Sequence, residues 1–262
     1  MADPSAATAT QLRNIESRTG KGFAELCRLI ADSGHAKVSD QRRFLMDTLG
    51  LGYGDANTLA LLAKDAAYPC YCTPEELEAD RKVQEAAKQP VRYLGRCAAL
   101  TPDERAAKEA EGRRGALRFR VRPGVVGWND LVRDRVEIDT VNLGGDFVIV
   151  RTDGNPLYHF TVVVDDMAMR ISHVIRGEDH VSNTPKHILL FEALGYPLPV
   201  FGHLPLILNP DGTKMSKRKS QTAVADYVAQ GFLREALVNY FSFLGWSPGT
   251  EEDVLTLDEI ID

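Results

Sequence analysis

The chain has 262 residues, of which 44% are hydrophobic and 26% are charged, and its formal net charge at pH 7 is −6. This composition is ordinary for a globular protein, and the length allows one large domain or two to three small ones. The acidic balance excludes a basic coat protein for nucleic acid, although clustered arginines and lysines could still bind RNA. The sequence has neither a run of 18 apolar residues nor the features of a signal peptide. We therefore expect a cytoplasmic protein with no membrane or DNA partner.

Residues 1–67 predict a small all-helical module. Apolar residues recur at helical spacing in four segments, with Leu12 and Ile15 in the first and Leu59 and Leu62 in the last. Glycines separate the segments, and Gly50 marks the end of the third. Residues 14–21 and 50–57 resemble parts of a small helical bacterial domain of unknown function. That resemblance implies no activity.

The pattern changes at Tyr68, and residues 68–157 predict a mixture of helices and strands. A short cysteine-bearing segment leads into a charged helix at Pro74, for which Thr73 and Glu76 have the spacing of a capping box. A second charged helix begins at Thr101, where proline follows at the first helical position. Residues 116–150 predict strands with glycine and proline breaks.

The last third of the chain alternates helices and strands. Strands are predicted at 174–175 and 201–208, and helices at 185–194, 223–229 and 233–244. Residues 160–164 fit either a strand or a helix. Alternation of elements of this length predicts a parallel sheet in a doubly wound α/β fold.

A lysine-rich loop at residues 211–219 is the most specific motif in the chain. It follows a predicted strand and contains Lys214, Lys217, Arg218 and Lys219. The loop after a parallel strand is where α/β folds bind ligands, and fixed cations suit the charge of a polyphosphate. The alternative interpretation, which holds for most basic runs, is a solvated surface loop.

Residues 214–218 are the signature loop of class I aminoacyl-tRNA synthetases, and the flanking motifs resemble glutamyl-tRNA synthetase. These motifs are Tyr158-His159-Phe160, Val164-Asp165-Asp166, residues 173–180, Asn183-Thr184-Pro185, residues 203–207 and residues 235–246. The resemblance covers residues 68–262. It implies an α+β acceptor-stem-binding insert at 68–157, the second half of a Rossmann-like nucleotide-binding fold at 158–222, and the start of a helical stem-contact region at 223–262.

The resemblance also implies a reaction, the ATP-dependent attachment of glutamate to tRNA(Glu) through a glutamyl-adenylate. ATP would enter with Mg²⁺ as a substrate. Lys214 and Lys217 would be the catalytic cations that hold the ATP phosphates. Met215, Ser216 and Arg218 would complete the ATP-binding loop.

The resemblance also implies that Tyr158 and Arg176 line the glutamate pocket. The planar fork of an arginine can bind the α-carboxylate of the amino acid with two hydrogen bonds. Without the resemblance, we would interpret Arg176 as a structural ion pair with Glu178 or Asp179.

A second candidate site consists of Cys70, Cys72 and Cys97. Three thiolates within 28 residues can meet around one zinc ion. A structural zinc site has four ligands. Some members of the family use a histidine two residues after the last cysteine, but Ala99 stands there. Tyr93 matches a tyrosine used by a close tRNA-modifying relative, which makes it the candidate fourth ligand. A metal-free knuckle with reduced thiols is the alternative.

Five arginines at positions 113–122 form the third feature. A strand here would place Arg118, Arg120 and Arg122 on one face and the apolar residues between them on the other. Such a face would suit RNA phosphates, and the resemblance places it in the acceptor-binding insert. The alternative is an exposed sheet face balanced by acidic residues on neighbouring helices.

The sequence lacks the His-x-Gly-His signature that class I synthetases carry in the first half of their nucleotide fold. Its histidines are His35, His159, His173, His180, His187 and His203, and no two are three positions apart. We therefore expect this chain alone to be impaired in catalysis. Two alternatives are a non-catalytic tRNA acceptor-binding protein and one half of a split synthetase whose partner polypeptide supplies the first half.

Overall fold

The computed structural model describes residues 11–208, residue 212 and residues 223–261. The chain forms two compact units. One contains the described residues up to Val174 together with Ser182–Phe201, and the other contains Ile175–Val181 together with the described residues from Gly202 onward. The division by motif, with boundaries after residues 67, 157 and 222, stays a prediction.

The described residues form both helices and strands. The helices are α1 (Gln11–Thr19), α2 (Phe23–Asp32), α3 (Val38–Leu49), α4 (Tyr53–Ala63), α5 (Pro74–Ala86), α6 (Pro102–Ala110), α7 (Tyr158–Ala168), α8 (Thr184–Leu194), α9 (Val224–Ala229), α10 (Arg234–Ser242) and α11 (Leu257–Ile261). The strands are β1 (Ala67–Cys70), β2 (Ala116–Phe119), β3 (Val125–Asp130), β4 (Asp134–Asp139), β5 (Phe147–Val150), β6 (His173–Gly177) and β7 (Val200–Leu204).

The four helices α1 to α4 form the predicted N-terminal module. Ile15, Leu26, Leu45 and Leu59 are fully buried and form the centre of its core. Gly50 follows α3 with a φ of 61°, a left-handed conformation that glycine adopts at little cost.

The next segment forms a three-stranded antiparallel sheet with strand order β1-β2-β5. Helices α5 and α6 lie between β1 and β2 in the sequence, and both begin with the predicted start signals. Thr73 accepts a hydrogen bond from the Glu76 amide at 3.3 Å, and the Glu76 carboxylate accepts one from the Thr73 amide at 2.9 Å. This reciprocal capping box fixes where the chain leaves β1 and enters α5.

A second sheet has the strand order β4-β3-β7-β6. Strand β3 pairs antiparallel with β4 and parallel with β7, through Asp130 and Phe201. The β3–β7 pair is parallel, and β3 lies outside the alternating last third from which a parallel sheet was predicted. Strand β7 is shorter than predicted and ends at Leu204, because Pro205 follows and has no amide hydrogen for a ladder.

Residues 160–164, which fit either element in the sequence, are helical and belong to α7. Phe160 and Val163 are both buried. Their spacing of three places them on one face of a helix, whereas in a strand they would point to opposite faces. The described helices include none that is long and apolar enough to cross a membrane.

In the second unit, α10 is held to the segment before α11 by one side chain. Asn239 donates to the Asp253 carbonyl and accepts from the Leu255 amide, both at 2.8 Å. The predicted helices at 223–229 and 233–244 correspond to α9 and α10, although α10 ends at Ser242.

Helix α4 packs on two sides. It contacts α1, α2 and α3 within the N-terminal module, and it contacts β1 and α8 outside it. All of residues 56–62 are buried as a result. The hydrophobic packing is therefore continuous across Tyr68, where the sequence motifs change.

A polar cluster lies where α3 and α4 meet the end of α8. The Tyr196 hydroxyl donates to Asn57 Oδ1 at 2.8 Å, and Arg42 donates to the same oxygen at 3.4 Å. The Arg42 guanidinium lies 4.7 Å from the ring centroid of Tyr53 and 4.8 Å from that of Tyr196. These contacts fix the module to α8.

Candidate functional site

The three cysteines that the sequence groups together do converge in space. Cys70 is the last residue of β1, Cys72 lies just before α5, and Cys97 lies in a turn closed by a hydrogen bond from Ala98 N to Gly95 O at 2.9 Å. Their sulfur atoms all lie within 4.8 Å of one another. The segment between β1 and α5 and the turn at 95–98 thus present three thiols to one point.

The Tyr93 hydroxyl lies among the three sulfurs. Its oxygen is 3.4 Å from Cys70 Sγ and 3.7 Å from Cys72 Sγ, and it accepts the Cys97 amide at 3.1 Å. Cys72 Sγ and Cys97 Sγ are 3.6 Å apart. The tyrosine suggested as a fourth ligand therefore occupies the fourth position of the group.

The thiols do not share one ionisation state. Hydrogen bonds from the Cys97 thiol, the Tyr93 hydroxyl and Arg118 lower the pKa of Cys70 to about 4, although burial acts in the opposite direction. The hydrogen bond to Cys70 and burial raise the pKa of Cys97, and burial raises the pKa of Cys72. The cluster thus favours the charged form of the Cys70 thiol over that of its neighbours.

This donor set fits a structural zinc ion. A tetrahedral zinc with sulfur ligands at about 2.3 Å places those sulfurs about 3.8 Å apart. The separation of Cys72 Sγ from Cys97 Sγ is 3.6 Å, close to that value. The oxygen of Tyr93 lies at similar distances from Cys70 and Cys72.

Arg118 does not belong to an open basic face, because its side chain is buried. Its guanidinium lies 3.8 Å from the ring centroid of Tyr93, and Nη1 donates to the Asp146 carbonyl at 2.7 Å. Leu117 and Phe119 are buried as well. The physical reason is that the Tyr93 ring and the Asp146 carbonyl cover the Arg118 side chain.

Arg120 and Arg122 lie beyond the end of β2. Arg120 donates to an Asp65 carboxylate oxygen and to the Ala98 carbonyl, each at 3.0 Å, and its guanidinium is 4.7 Å from the Tyr68 ring centroid. Arg122 is exposed. The structure does not gather Arg118, Arg120 and Arg122 on one face, and their contact with RNA stays a prediction.

Tyr158 begins α7 and is about half exposed. Its ring centroid lies 5.4 Å from that of His159 and 5.8 Å from that of His187, which is fully buried in α8. His159 Nδ1 and His187 Nε2 share a hydrogen bond of 3.1 Å. Packing of α7 on α8 therefore fixes the position of the Tyr158 ring.

Arg176 lies in the second unit, near the end of β6. Its Nε donates to Nε2 of His203 at 3.2 Å, and an Nη donates to the His180 carbonyl at 3.5 Å. His203 is fully buried in β7. Burial of His203 thus gives Arg176 a fixed hydrogen-bond partner on the neighbouring strand.

Sequence reasoning missed His203 as the partner of Arg176. The two residues are 27 positions apart, and no spacing rule connects neighbouring strands at that separation. The histidine does stand in the motif at 203–207, which was the available signal. The proposed ATP-binding residues Lys214, Met215, Ser216, Lys217 and Arg218 lie outside the described residues.

Comparison with protein families decides the relationship. Residues 55–262 match the family of class I tRNA synthetases (E and Q), catalytic domain. The chain belongs to this family. Residues 7–65 match a second family, a domain of unknown function (DUF4287), in keeping with the resemblance of the N-terminal module. The two matches share residues 55–65, which include most of α4.

Individual relatives of this class I synthetase chain agree with the family match. Glutamate--tRNA ligase from Symbiobacterium thermophilum is 52% identical over 205 residues, covering 77% of this chain and 42% of the relative. The corresponding ligase from Carboxydothermus hydrogenoformans is 50% identical over 203 residues, with the same shares covered. The chain thus spans less than half the length of these relatives.

Solved structures show the same similarity. Glutamate-tRNA synthetase from Elizabethkingia anophelis superposes with a TM-score of 0.68 at 33% identity, covering 86% of this chain and 48% of that one. A glutamate tRNA ligase from Elizabethkingia meningosepticum, in complex with its amino acid, gives the same values. The fold prediction of a class I synthetase catalytic region is confirmed.

Proposed function

We propose that this chain takes part in the ATP-dependent attachment of glutamate to tRNA(Glu). The observation that carries the proposal is the identity of 50–52% to proteins named glutamate--tRNA ligase, over 77% of this chain. The hydrogen bond from Arg176 to the buried His203, which fixes the position of the guanidinium, supports it. The planar fork of an arginine can bind a carboxylate with two hydrogen bonds.

The proposed reaction has two steps. The α-carboxylate of glutamate attacks the α-phosphate of ATP, and pyrophosphate leaves with its Mg²⁺. A ribose hydroxyl of the tRNA then attacks the glutamyl carbonyl, and AMP leaves. Tyr158 and Arg176 bind the amino acid, and Lys214 and Lys217 hold the phosphates, together with Met215, Ser216 and Arg218.

The cysteine cluster has a structural part in this proposal. Cys70, Cys72 and Cys97 with Tyr93 would hold a zinc ion that ties β1 and the start of α5 to the turn at 95–98. All four positions would be filled by protein atoms, which is the arrangement of structural rather than catalytic zinc.

We further propose that these 262 residues alone charge tRNA poorly. They contain no His-x-Gly-His, and removal of even one group that stabilises transition-state charge costs roughly 3–4 kcal/mol. Charging of tRNA(Glu) with labelled glutamate should therefore be near background for the chain alone. It should rise when a polypeptide carrying the first half of the fold is added.

An Arg176→Met variant tests whether the chain contributes its own residues to that activity. It should abolish the restored charging, whereas Lys82→Met, which removes a charge from the exposed side of α5, should not. Full charging by the unassisted chain would refute the impairment. No restoration, combined with tight tRNA binding, would favour the non-catalytic acceptor-binding alternative over the split synthetase.

A further inference from the structure

A groove of about 380 Å³ lies beside the cysteine cluster, within the first unit. Its walls come from α5, from residues 91–93, from residues 143–148 and from Lys186 in the first turn of α8. Its lining is rich in charged side chains, namely Asp80, Arg81, Arg92, Arg118, Asp146 and Lys186.

The carboxylates of the two acidic residues in this groove already have partners within the chain. Asp80 forms an ion pair with Arg96. The carboxylate of Asp146 accepts hydrogen bonds from the Tyr68 hydroxyl and from the Val121 amide. Among the described residues, neither carboxylate forms an ion pair with a cation of the groove.

The four cationic side chains of the groove differ in whether the chain provides partners for them. Arg81 forms ion pairs with Glu78 and Glu85 at 2.7 Å, and Arg118 is held by Tyr93 and the Asp146 carbonyl. Arg92 and Lys186, by contrast, have no acidic partner among the residues that the structure describes. The groove thus has a positive charge at two points that the described residues do not balance.

Lys186 is the more unusual of the two, because it is partly withdrawn from water. Its ammonium nitrogen lies 5.6 Å from the ring centroid of Phe147, which also lines the groove. Burial lowers the pKa of Lys186. A partly desolvated ammonium without a carboxylate is unfavourable, and an anion beside it would relieve that cost.

The rim at Arg92 is rigid. The buried Gln84 side chain accepts the Arg92 amide and donates to the Arg92 carbonyl, both at 3.0 Å. The next residue, Tyr93, donates its amide to the Gly144 carbonyl at 3.0 Å. A ligand that binds here does not have to order the backbone first, which favours affinity.

We propose that this groove binds a phosphate group of the RNA backbone, with Arg92 and Lys186 as its cationic contacts. The inference rests on the proposed function, since it assigns tRNA as the source of the phosphate. Lysine acts on a phosphate as a point charge and arginine as a fork of donors, so the pair combines attraction with orientation. Arg92 and Lys186 are thus candidate RNA contacts in addition to those predicted from the arginine strand.

The test measures the affinity of the full chain for tRNA(Glu) across a salt titration. Lys186→Met and Arg92→Met should each weaken binding about tenfold and reduce the slope of log affinity against log salt by about one. Lys82→Met removes the same charge from an exposed lysine outside the groove and should match the parent. Lys186→Arg should retain most of the affinity.

Each outcome separates this inference from the proposed function. If the parent binds tRNA and the two groove variants behave like Lys82→Met, the groove inference is overturned and the proposed function stands. If the parent does not bind tRNA at low ionic strength, both fail. If the variants weaken binding of inorganic phosphate but not of tRNA, the groove is a site for free phosphate and the RNA assignment is overturned. Unchanged thermal unfolding of the variants excludes misfolding as the cause.

Discussion

Tyr93 connects two features of the insert that the sequence treats as separate. Its hydroxyl lies among the cysteine sulfurs, while the face of its ring supports the Arg118 guanidinium. A cation over an aromatic face is held by the charge distribution of the ring, and the burial of both groups strengthens this attraction. The arginine is thereby drawn to the cysteine cluster and away from solvent.

The cysteine cluster yields the first prediction. The protein prepared with zinc should contain one zinc per chain, and Cys97→Ser should lose it, because three protein ligands without a fourth hold structural zinc weakly. Zinc content measured by elemental analysis checks this.

Cys27→Ser provides the control, because Cys27 lies in α2, outside the group of converging sulfurs. It should keep the parent's zinc. Zinc-free parent protein, or equal zinc in Cys97→Ser, would show that the thiols form a metal-free knuckle.

At the scale of elements, the segment at Tyr93 depends on a close approach to two successive glycines. Both Gly144 and Gly145 are in the left-handed region, with φ of 80° and 79°. A Cβ at Gly145 would lie 2.8 Å from the Tyr93 carbonyl oxygen, whereas a Cβ at Gly144 would meet nothing within 4 Å. Substitution of Gly144 therefore tests backbone strain alone, whereas substitution of Gly145 adds a steric clash.

We expect Gly144→Ala to lower the free energy of unfolding by about 1–2 kcal/mol, the cost of a left-handed non-glycine residue. Gly145→Ala should lose about 1–3 kcal/mol more, because backbone must move to admit the methyl group. Urea unfolding of the two variants measures the difference. Equal losses would mean that the two segments are not in contact.

The polar contact between α4 and the end of α8 gives a second prediction at this scale. Tyr196→Phe removes the hydrogen bond to Asn57 and leaves a buried amide oxygen with only the longer bond from Arg42. We expect a loss of about 1–2 kcal/mol in the free energy of unfolding.

Tyr240→Phe serves as the matched control, since Tyr240 is 64% exposed on α10. Its effect should be within about 0.5 kcal/mol. An unchanged stability in Tyr196→Phe would indicate that the helical module does not depend on α8.

Local signals in the sequence predicted most of the elements, because caps and apolar spacing act over a few residues. Thr73 with Glu76 and the glycine at Gly50 are examples in which the predicted start or end of a helix is close to the observed one. The position of Arg118 could not be predicted in the same way. Its burial depends on Tyr93 and Asp146, which reach it only after the sheet has formed.

The candidate site was predictable to a similar extent. The convergence of Cys70, Cys72 and Cys97 followed from their chemistry, and the family resemblance supplied Tyr158 and Arg176. Contacts that hold those residues, such as His203 against Arg176, join separate strands and leave no periodic trace in the sequence.

At the scale of the whole molecule, the N-terminal module and the insert belong to one compact unit. We therefore expect the module to unfold together with the sheets of that unit. In a Trp246→Phe variant, fluorescence reports on Trp128 alone, which is buried in β3, while far-ultraviolet circular dichroism reports largely on the helices. The two urea transitions should coincide.

Tyr196→Phe should then shift the Trp128 transition although the substitution is far from that residue in sequence. A helical transition that precedes the fluorescence change would contradict this expectation. It would show instead that the module folds on its own.

Helix α4 also determines where the chain can change without loss. Most soluble helices accept varied residues along one solvent-facing stripe, so that a scan of all substitutions shows tolerance repeating every three to four positions. Residues 56–62 have no such stripe, since α1, α2 and α3 cover the helix on one side and β1 and α8 on the other. We therefore expect substitutions to be poorly tolerated at consecutive positions of α4, in the segment where the two family matches overlap. Natural variation in this protein would accordingly be concentrated on either side of this segment and be sparse within it.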